Sequence, residues 1–345
     1  ALGVMVLADR HGRRRLLRWA ILGAVLLTGL GALSPGLWFL GGSQLFARGL
    51  TTGMGILIGV MAAEELPRGA RAYGVSMLSL AAALGAGMAV WVLPVADLNP
   101  QGWRVVYLVP LLSLPLVLAA CRRLPETRRF VANKQTPDLH GAPLRTEYRR
   151  LALLATGAFL FLLFASPASQ FQNDFLREQR GFNATGISIY TLLTSTPAAI
   201  GIFLAGKWAD TRGRRHVGAL GLAGGSVFIT LSYFFAGPLM WVSHLGGVVI
   251  GSLTVALGVY GPELFSTHHR AKANGTIVTI GVLGSAAGLL LVGWLHDYFG
   301  AYGPAFAVVT LGPLLTAWLV ISRYPETARK ALEELNPDDA NLEDV

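Results

Sequence analysis

The chain has 345 residues, of which 53% are hydrophobic and only 14% are charged, and it contains 42 glycines and a single cysteine. In soluble domains roughly a quarter of all residues are charged. This composition therefore excludes an ordinary soluble protein and favours helices packed closely in lipid. One cysteine excludes an internal disulfide, and the sequence contains no Cys/His cluster that would predict a metal site. The net charge of +9 is interpretable only once its distribution along the chain is known.

Ten apolar segments are long enough to cross a hydrocarbon core of about 30 Å, which takes about 20 helical residues. The segments lack the alternation of a membrane β-barrel, so all of them are expected to be helices. The apolar residues 1–8 resemble the end of another span. The ten predicted spans lie near residues 19–33, 37–61, 72–95, 104–121, 151–170, 187–205, 216–236, 238–260, 276–295 and 303–321.

Basic residues concentrate on one side of these spans. If the charged segment that begins at Asp9 is cytoplasmic, 24 of the 28 Lys and Arg residues fall in cytoplasmic segments, and the exceptions are Arg48, Arg104, Arg177 and Arg180. An excess of Lys and Arg in cytoplasmic loops is the main sequence determinant of membrane topology. The charge therefore predicts a multi-pass protein of the plasma (inner) membrane with a cytoplasmic C-terminus, and it requires no nucleic-acid partner.

Three short motifs recur at nearly one offset, which indicates that the chain contains two copies of one unit. The recurring pairs are Asp9 with Asp210 and residues 71–74 with residues 272–275, both 201 apart, and residues 125–127 with residues 325–327, which are 200 apart. The predicted fold is therefore an all-α integral membrane protein with two pseudo-repeated six-helix bundles. The predicted divisions are bundles at 1–121 and 151–322, a cytoplasmic loop at 122–150, and a cytoplasmic acidic tail at 323–345.

The two copies differ in how much chain precedes them. The second bundle begins 59 residues before Asp210, whereas only eight residues precede Asp9. Against a 12-helix plan, we expect about 51 residues, containing helix 1 and most of helix 2, to be missing from the front of the sequence.

The duplicated turn resembles the signature of the major facilitator superfamily, Gly-x-x-x-Asp-(Arg)-x-Gly-(Arg/Lys)-(Arg/Lys), and the resemblance extends over essentially the whole chain. The first copy matches at Asp9, Arg10, Gly12, Arg13 and Arg14 and has Met5 where the family prefers glycine; the second matches at Gly206, Asp210, Gly213, Arg214 and Arg215. The resemblance implies a secondary transporter whose halves rock about a site near the membrane midplane, with no cofactor.

The resemblance also implies that the duplicated turns form a conformational latch. Arginines of each turn would pair with acidic residues one loop away, and such pairs form in one rocking state and break in the other. The alternative is that they are ordinary interfacial charges, worth under about 1 kcal/mol each. The predicted latch residues are Asp9, Arg13, Glu64, Glu65, Asp210, Arg214 and Glu263.

Four further residues are predicted to contact substrate or protons. Arg48 lies 11 residues inside a span, where a charge costs about 2.5 kcal/mol or more and usually faces a cavity. It resembles the Arg-Gly signature in the fourth helix of proton-coupled members, although an arginine that only holds backbone carbonyls is the alternative. Gln170 and Asp174 near helix 7, and His244 in helix 10, fall on helices that surround the cavity in the family. The alternatives are a polar helix end for the first two and a buried hydrogen bond for His244.

The favoured function is proton-coupled uptake of a sugar, organic acid or similar metabolite by a monomer embedded in the lipid bilayer. The fifth helix lacks the Gly-Pro-x-x-Gly-Gly type signature of many drug/proton antiporters, and PETRR and PETAR resemble the uptake branches. Drug efflux is the alternative within the family, and a transport-dead receptor or scaffold is the alternative outside transport. An enzyme is not expected, since His244, His296 and Asp297 form no recognised catalytic spacing.

Overall fold

The protein is helical throughout the part of the chain that the computed structural model describes. Contacts between residues divide the chain into two compact units, one formed by residues 1–74 and 85–142, the other by residues 75–84 and 143–345. The described residues are 12–65, 71–123, 148–258, 260–265 and 270–328. Asp9 of the predicted latch lies outside them.

Among the described residues, the first unit contains five helices, of which α3 also contributes residues to the second unit. Short 3-10 turns extend α1 to Leu33 and α3 to Asp97. The helices are α1 Arg13–Leu30, α2 Leu37–Glu65, α3 Arg71–Val92, α4 Gly102–Leu112 and α5 Leu114–Arg123.

The described part of the second unit contains nine further helices, and two short helical turns, Gln172–Asp174 and Phe175–Gln179, follow the first of them. A 3-10 turn, Ser252–Leu257, extends α10. The helices are α6 Tyr148–Gln170, α7 Ala184–Ser195, α8 Ala198–Arg212, α9 Arg214–Phe234, α10 Pro238–Gly251, α11 Tyr260–Leu264, α12 Arg270–Phe299, α13 Tyr302–Val309 and α14 Leu311–Arg323.

These helices supply the predicted membrane spans. Among the described residues, nine helical segments of 20 to 32 residues are apolar and long enough to cross a bilayer, and six of them belong to the second unit. The remaining predicted span, near 37–61, corresponds to α2, a continuous helix of 29 residues. At 1.5 Å per residue α2 is about 44 Å long, which exceeds the hydrocarbon core. The predicted all-α integral membrane fold is confirmed.

Prolines break three spans that the hydropathy pattern predicts as continuous helices. A break at Ser113 precedes Pro115, α8 begins directly after Pro197, and the change at Thr310 precedes Pro313. Proline has no N–H to donate, and its ring clashes with the carbonyl of residue i−4. The chain therefore stays helical on both sides of each proline but cannot keep the hydrogen-bond ladder intact across it.

Glycines set the close approach of α12 to α6 in the second unit. Gly281, Gly284 and Gly288 follow one face of α12, at spacings of three and four residues. A Cβ on Gly284 would lie 2.9 Å from Cα of Phe159, and a Cβ on Gly288 would lie 2.9 Å from Cα of Leu163. Both distances are shorter than a carbon–carbon contact, so only glycine permits this backbone approach. Such small-residue seams are the usual helix interface in membranes.

Two arginines of the predicted outer loops bind the carboxyl ends of helices. In the first unit, Arg104 donates from Nη1 to the carbonyl of Ala32 at 2.6 Å and from Nη2 to that of Ser34 at 3.0 Å, just where the α1 segment ends. In the second unit, Arg180 donates from Nη2 to the carbonyl of Phe235 at 2.8 Å, the residue that follows α9. A cation beside unpaired terminal carbonyls opposes the negative end of the helix dipole. Local structure thus accounts for two of the four basic residues that fall outside the predicted cytoplasmic segments.

A buried cluster in the second unit holds together the end at which α8 meets α9. Tyr260, Leu264 and Phe265 are each at most 1% exposed and pack with residues of α6, α9 and α14. The rings of Tyr260 and Tyr324 meet edge to face at 5.4 Å. This cluster places α11 and the residues after α14 next to the turn that holds the duplicated motif.

Candidate functional site: a charged turn, a helical cavity and a membrane arginine

The turn before α9 has the backbone conformation that the repeat predicts. Gly213 has φ 93° and ψ 139°, and Gly12, 201 positions earlier and directly before α1, has φ 96° and ψ 138°. Residues with a side chain rarely adopt positive φ values of this kind, so glycine is required in both turns. The two copies of the motif therefore share their local structure as well as their sequence.

Glu326 caps the amino end of α9 from more than a hundred residues away. Its Oε1 accepts the backbone N–H of Arg214 and of Ala328, both at 3.1 Å, and its Oε2 accepts that of Arg215 at 3.3 Å. A Cβ on Gly213 would lie 2.8 Å from Oε2, so glycine also makes room for the carboxylate. Negative charge at this end of a helix is stabilising.

The electrostatics of Glu326 favour its ionised form. Partial burial acts to raise the pKa of Glu326, but hydrogen bonds from backbone N–H groups, including those of Ala328, Arg214 and Arg215, outweigh burial and hold the pKa below its ordinary value of 4.5. The carboxylate is therefore fully charged at neutral pH. The charge matters to the site because an anionic acceptor makes stronger hydrogen bonds than a neutral one.

Arg214 connects three segments of the second unit. It is the first residue of α9, it is 7% exposed, and its Nη1 forms an ion pair with Glu263 of α11. The same Nη1 donates to Oγ1 of Thr327, which is 1% exposed, at 2.9 Å. The predicted latch residues Arg214 and Glu263 are thus in contact. The segment after α14, which contains Glu326 and Thr327, completes the charged turn.

For the other predicted latch residues, the structure describes the side chain of Arg13 but only the helical positions of three acids. Arg13 is the first residue of α1, in the position that Arg214 has in α9, and it is half-buried. Glu64 and Glu65 end α2, and Asp210 lies near the end of α8, but the side chains of these three acids are outside the described part of the structure.

A cavity of about 280 Å³ lies inside the second unit, between α6, α7, α9 and α10. His244 of α10 lines it, is 4% exposed and places Nδ1 3.5 Å from Oγ of Ser232. Gln172 also lines it, and its buried Nε2 has no hydrogen-bond partner. Phe161 and Phe164 of α6 form one wall.

Two predicted contact residues lie near α6 but outside the lining of this cavity. Gln170, the last residue of α6, is exposed. Asp174 is half-buried and accepts a hydrogen bond from the hydroxyl of Tyr302 at the start of α13. His296 stacks on the same tyrosine ring at 4.1 Å. Asp174 therefore joins two segments at one end of the unit, and Gln172, not Gln170, reaches the cavity.

Arg48 lies on the exposed face of α2 in the first unit. Thr52, one turn later, is exposed on the same face and donates its hydroxyl to the backbone carbonyl of Arg48 at 2.9 Å. Among the described residues, the guanidinium of Arg48 has no hydrogen bond or ion pair.

The sequence did not predict a site role for three residues of these sites: Glu326, Thr327 and Gln172. For the first two a signal existed, because the Pro-Glu-Thr motif recurs at an offset of 200, one residue less than the offset of the duplicated turn. For Gln172 the choice between two glutamines two residues apart depended on where α6 ends. The structure ends α6 at Gln170 and starts a new helical turn at Gln172.

Comparison with known proteins identifies the family. The family model of the Major Facilitator Superfamily matches residues 153–341, more than half of the chain. The cis,cis-muconate transport protein of Acinetobacter baylyi is 26% identical over 322 residues, which cover 87% of this chain and 76% of that protein. The 3-(3-hydroxy-phenyl)propionate transporter of Escherichia coli is 28% identical over 307 residues, covering 84% and 72%.

The fold is similar to that of a solved transporter. The proton:xylose symporter XylE, determined with 6-bromo-6-deoxy-D-glucose, matches with a TM-score of 0.76 at 20% identity, covering 96% of this chain and 84% of that one. The helical spans, the duplicated turn and the family match agree, and the chain belongs to the major facilitator superfamily of multi-pass membrane transporters, which are not enzymes.

Proposed function

We propose that the protein takes up an organic acid in symport with protons by alternating access. The two relatives described above are transporters of compounds that are carboxylates by name. A carboxylate that leaves water for the membrane interior needs a cation or several hydrogen-bond donors, because an unpaired buried charge is very costly. The exposed Arg48 of α2 is the observation on which the proposal depends.

The surroundings of Arg48 support a path for a polar solute. On the packing face of α2, Ala47 is 2% exposed and Leu57 is fully buried. At 100° per residue, Arg48, Thr52 and Gly55 lie on the opposite face, and all three are exposed. A lipid-facing surface would be expected to carry large apolar side chains. This face also carries the exposed Leu45, one turn before Arg48. Its polar part, Arg48 with Thr52, favours contact with water and solute, where the guanidinium binds a carboxylate through two parallel hydrogen bonds.

The test is uptake of radiolabelled cis,cis-muconate and 3-(3-hydroxyphenyl)propionate by cells expressing the chain. We expect uptake of at least one of these two compounds, and we expect this uptake to stop when a protonophore collapses the proton gradient. Arg48→Ala removes the charge and Arg48→Lys removes the planar fork, so both should lower uptake by about tenfold or more. Arg177→Ala, at an exposed arginine in the turn Phe175–Gln179, is the matched control and should leave uptake unchanged.

Two results would contradict the proposal. Normal uptake by Arg48→Ala, with surface expression equal to that of the parent, would remove Arg48 from the solute path. Absence of any uptake by a well-expressed chain, together with retained binding of the same compounds, would favour a receptor or scaffold.

The charged turn of the second unit is proposed to act as a latch at the cytoplasmic face. Arg214 and Glu263 would hold α9 and α11 together while the solute path is open to the outside, and Glu326 would keep the amino end of α9 and the post-α14 segment together. Asp210, and Asp9, Arg13, Glu64 and Glu65 of the first copy, are assigned the same role through the repeat. This arrangement requires both turns and the C-terminus on the cytoplasmic side of the plasma membrane.

The latch proposal is tested by accessibility. In this test a cysteine is introduced at the cytoplasmic end of the solute path. Glu263→Gln should increase the rate at which a membrane-permeant thiol reagent modifies this cysteine. Glu178→Gln changes an exposed acid in the turn Phe175–Gln179 and should not alter that rate. Equal rates in the two variants would leave the turn as a structural anchor.

A further inference from the structure

The cavity of the second unit has no ionic side chain in its lining. None of the residues that line it, all within the described part of the structure, is Asp, Glu, Lys or Arg, and His244 is its one titratable residue. Burial of a carboxylate or ammonium without a partner costs several kcal/mol, so a charged group is disfavoured there. The volume of about 280 Å³ nevertheless exceeds the roughly 150 Å³ of an apolar cavity that holds benzene.

The two main walls of the cavity favour a flat group. Phe161 and Phe164 contribute aromatic rings from α6 on one side. On the other side α9 and α10 contribute glycines at positions where no side chain fits: a Cβ on Gly225 would lie 2.5 Å from Cα of Gly251. These glycines bring backbone to this wall, beside the side chains of Leu222, Ile229 and Val248. A slot between aromatic rings and a glycine seam accommodates a planar ring better than a branched or puckered one.

Polar groups at the wall define the hydrogen bonds that a ligand can make. The buried Nε2 of Gln172 has no acceptor, and leaving such a donor unpaired costs about 1–3 kcal/mol. Ser232 donates its hydroxyl to the carbonyl of Ile229 at 2.7 Å, so its oxygen can only accept from Nδ1 of His244. This assigns the proton of the neutral imidazole to Nδ1 and leaves Nε2 as an acceptor.

We propose that this cavity is a binding site for an uncharged planar ring that bears one hydroxyl or carbonyl oxygen. The ring occupies the slot between the phenylalanines and the glycine seam, and Gln172 donates to its oxygen. A hydroxyl ligand can also donate to Nε2 of His244. The site lies within one unit and involves neither Arg48 nor the charged turn, so it goes beyond the proposed transport function. Binding is measured without solute flux, and either proposal can fail alone.

The test compares 4-fluorophenol with fluorobenzene, two planar probes that differ in the hydroxyl. Their saturable binding to the purified chain in detergent is followed by ¹⁹F relaxation. Gln172→Met keeps the length of the side chain and removes the donor, so it should lower the affinity for 4-fluorophenol by about fivefold and leave that for fluorobenzene within about twofold. Ala165→Phe places a ring in the cavity and should lower the affinity for both probes by about tenfold or more.

The matched control is Ala152→Phe, the same substitution at an exposed position of the same helix, α6. It should leave both affinities unchanged, since any partition of the probes into detergent is common to all variants. Equal losses in Ala152→Phe and Ala165→Phe, or no saturable binding by the parent chain, would overturn the site. If Ala165→Phe does not fold, Gln172→Met decides alone: equal changes for both probes, or none for 4-fluorophenol, would refute the assigned donor.

Discussion

Replacement of Glu326 by glutamine should destabilise the second unit through the amino end of α9. The amide oxygen can still accept the N–H groups of Arg214 and Ala328, which Oε1 holds at 3.1 Å, but it cannot also serve Arg215. Hydrogen bonds to a charged acceptor contribute roughly 1 kcal/mol more than those to a neutral one. Loss of the charge next to the helix dipole adds about 0.3–1 kcal/mol. With Glu326 only partly buried, the expected loss is about 1–2 kcal/mol.

The assay is thermal unfolding in detergent, followed by intrinsic fluorescence. For a unit of about 200 residues, 1 kcal/mol corresponds to roughly 2–4 °C, so Glu326→Gln should lower Tm by about 3–6 °C at neutral pH. Glu178→Gln removes the same charge at an exposed position and is the control. A loss no larger than that of the control would refute the cap.

The pH dependence of this difference follows from the direction of the pKa shift. Hydrogen bonds hold the pKa of Glu326 below its ordinary value of 4.5 in the folded protein, although burial opposes them. The stabilisation is therefore complete above the unfolded value and is lost as pH falls through the folded pKa. The Tm difference between the parent chain and Glu326→Gln should be constant from pH 7 to pH 6 and should shrink below about pH 4.5. A difference that does not decrease at all as the pH falls below 4.5 would contradict the electrostatic explanation.

Two other substitutions test separately the turn at Gly213 and the binding of Arg104 to the carboxyl end of the α1 segment. Gly213→Ala should lower Tm more than Gly237→Ala, because both glycines have positive φ but only the Cβ at 213 would meet a neighbour, whereas position 237 is open. Equal effects on Tm would assign the cost to backbone strain alone. Arg104→Met keeps the stem of the side chain and removes the donors to the carbonyls of Ala32 and Ser34, so it should cost about 1–2 kcal/mol in urea unfolding of the protein. An unchanged unfolding midpoint would show that water replaces the arginine.

Features that depend on local sequence were predictable. The lengths of the apolar segments predicted the spans, since a helix that crosses lipid must satisfy the hydrogen-bonding groups of its own backbone. The offset of 201 anticipated a shared turn, and Gly12 and Gly213 have φ values within a few degrees of each other. Glu263 could be named as a partner of Arg214 because the choice was restricted to acids one loop away.

Features that depend on contacts between distant segments were not predictable. The cap of α9 by Glu326 joins positions 112 residues apart, and hydropathy contains no information about that approach. The sequence alone allows Asp174 to be part of a polar helix end, and only the fold shows that α13 brings Tyr302 next to it. The choice of Gln172 over Gln170 depended on a one-residue interruption of α6, which lies within the usual error of a helix boundary.

The position of α9 between two charges from other segments has a mechanical consequence. Its amino end is bound by the carboxylate of Glu326 and its carboxyl end by the guanidinium of Arg180, so the helix dipole is opposed at both ends by groups that α9 itself does not contain. A movement that separated α9 from either segment would leave terminal backbone groups without partners. We therefore expect α9, the segment that holds Arg180 and the post-α14 segment to move as one rigid body, with any bending of the unit confined to helices that are interrupted by proline.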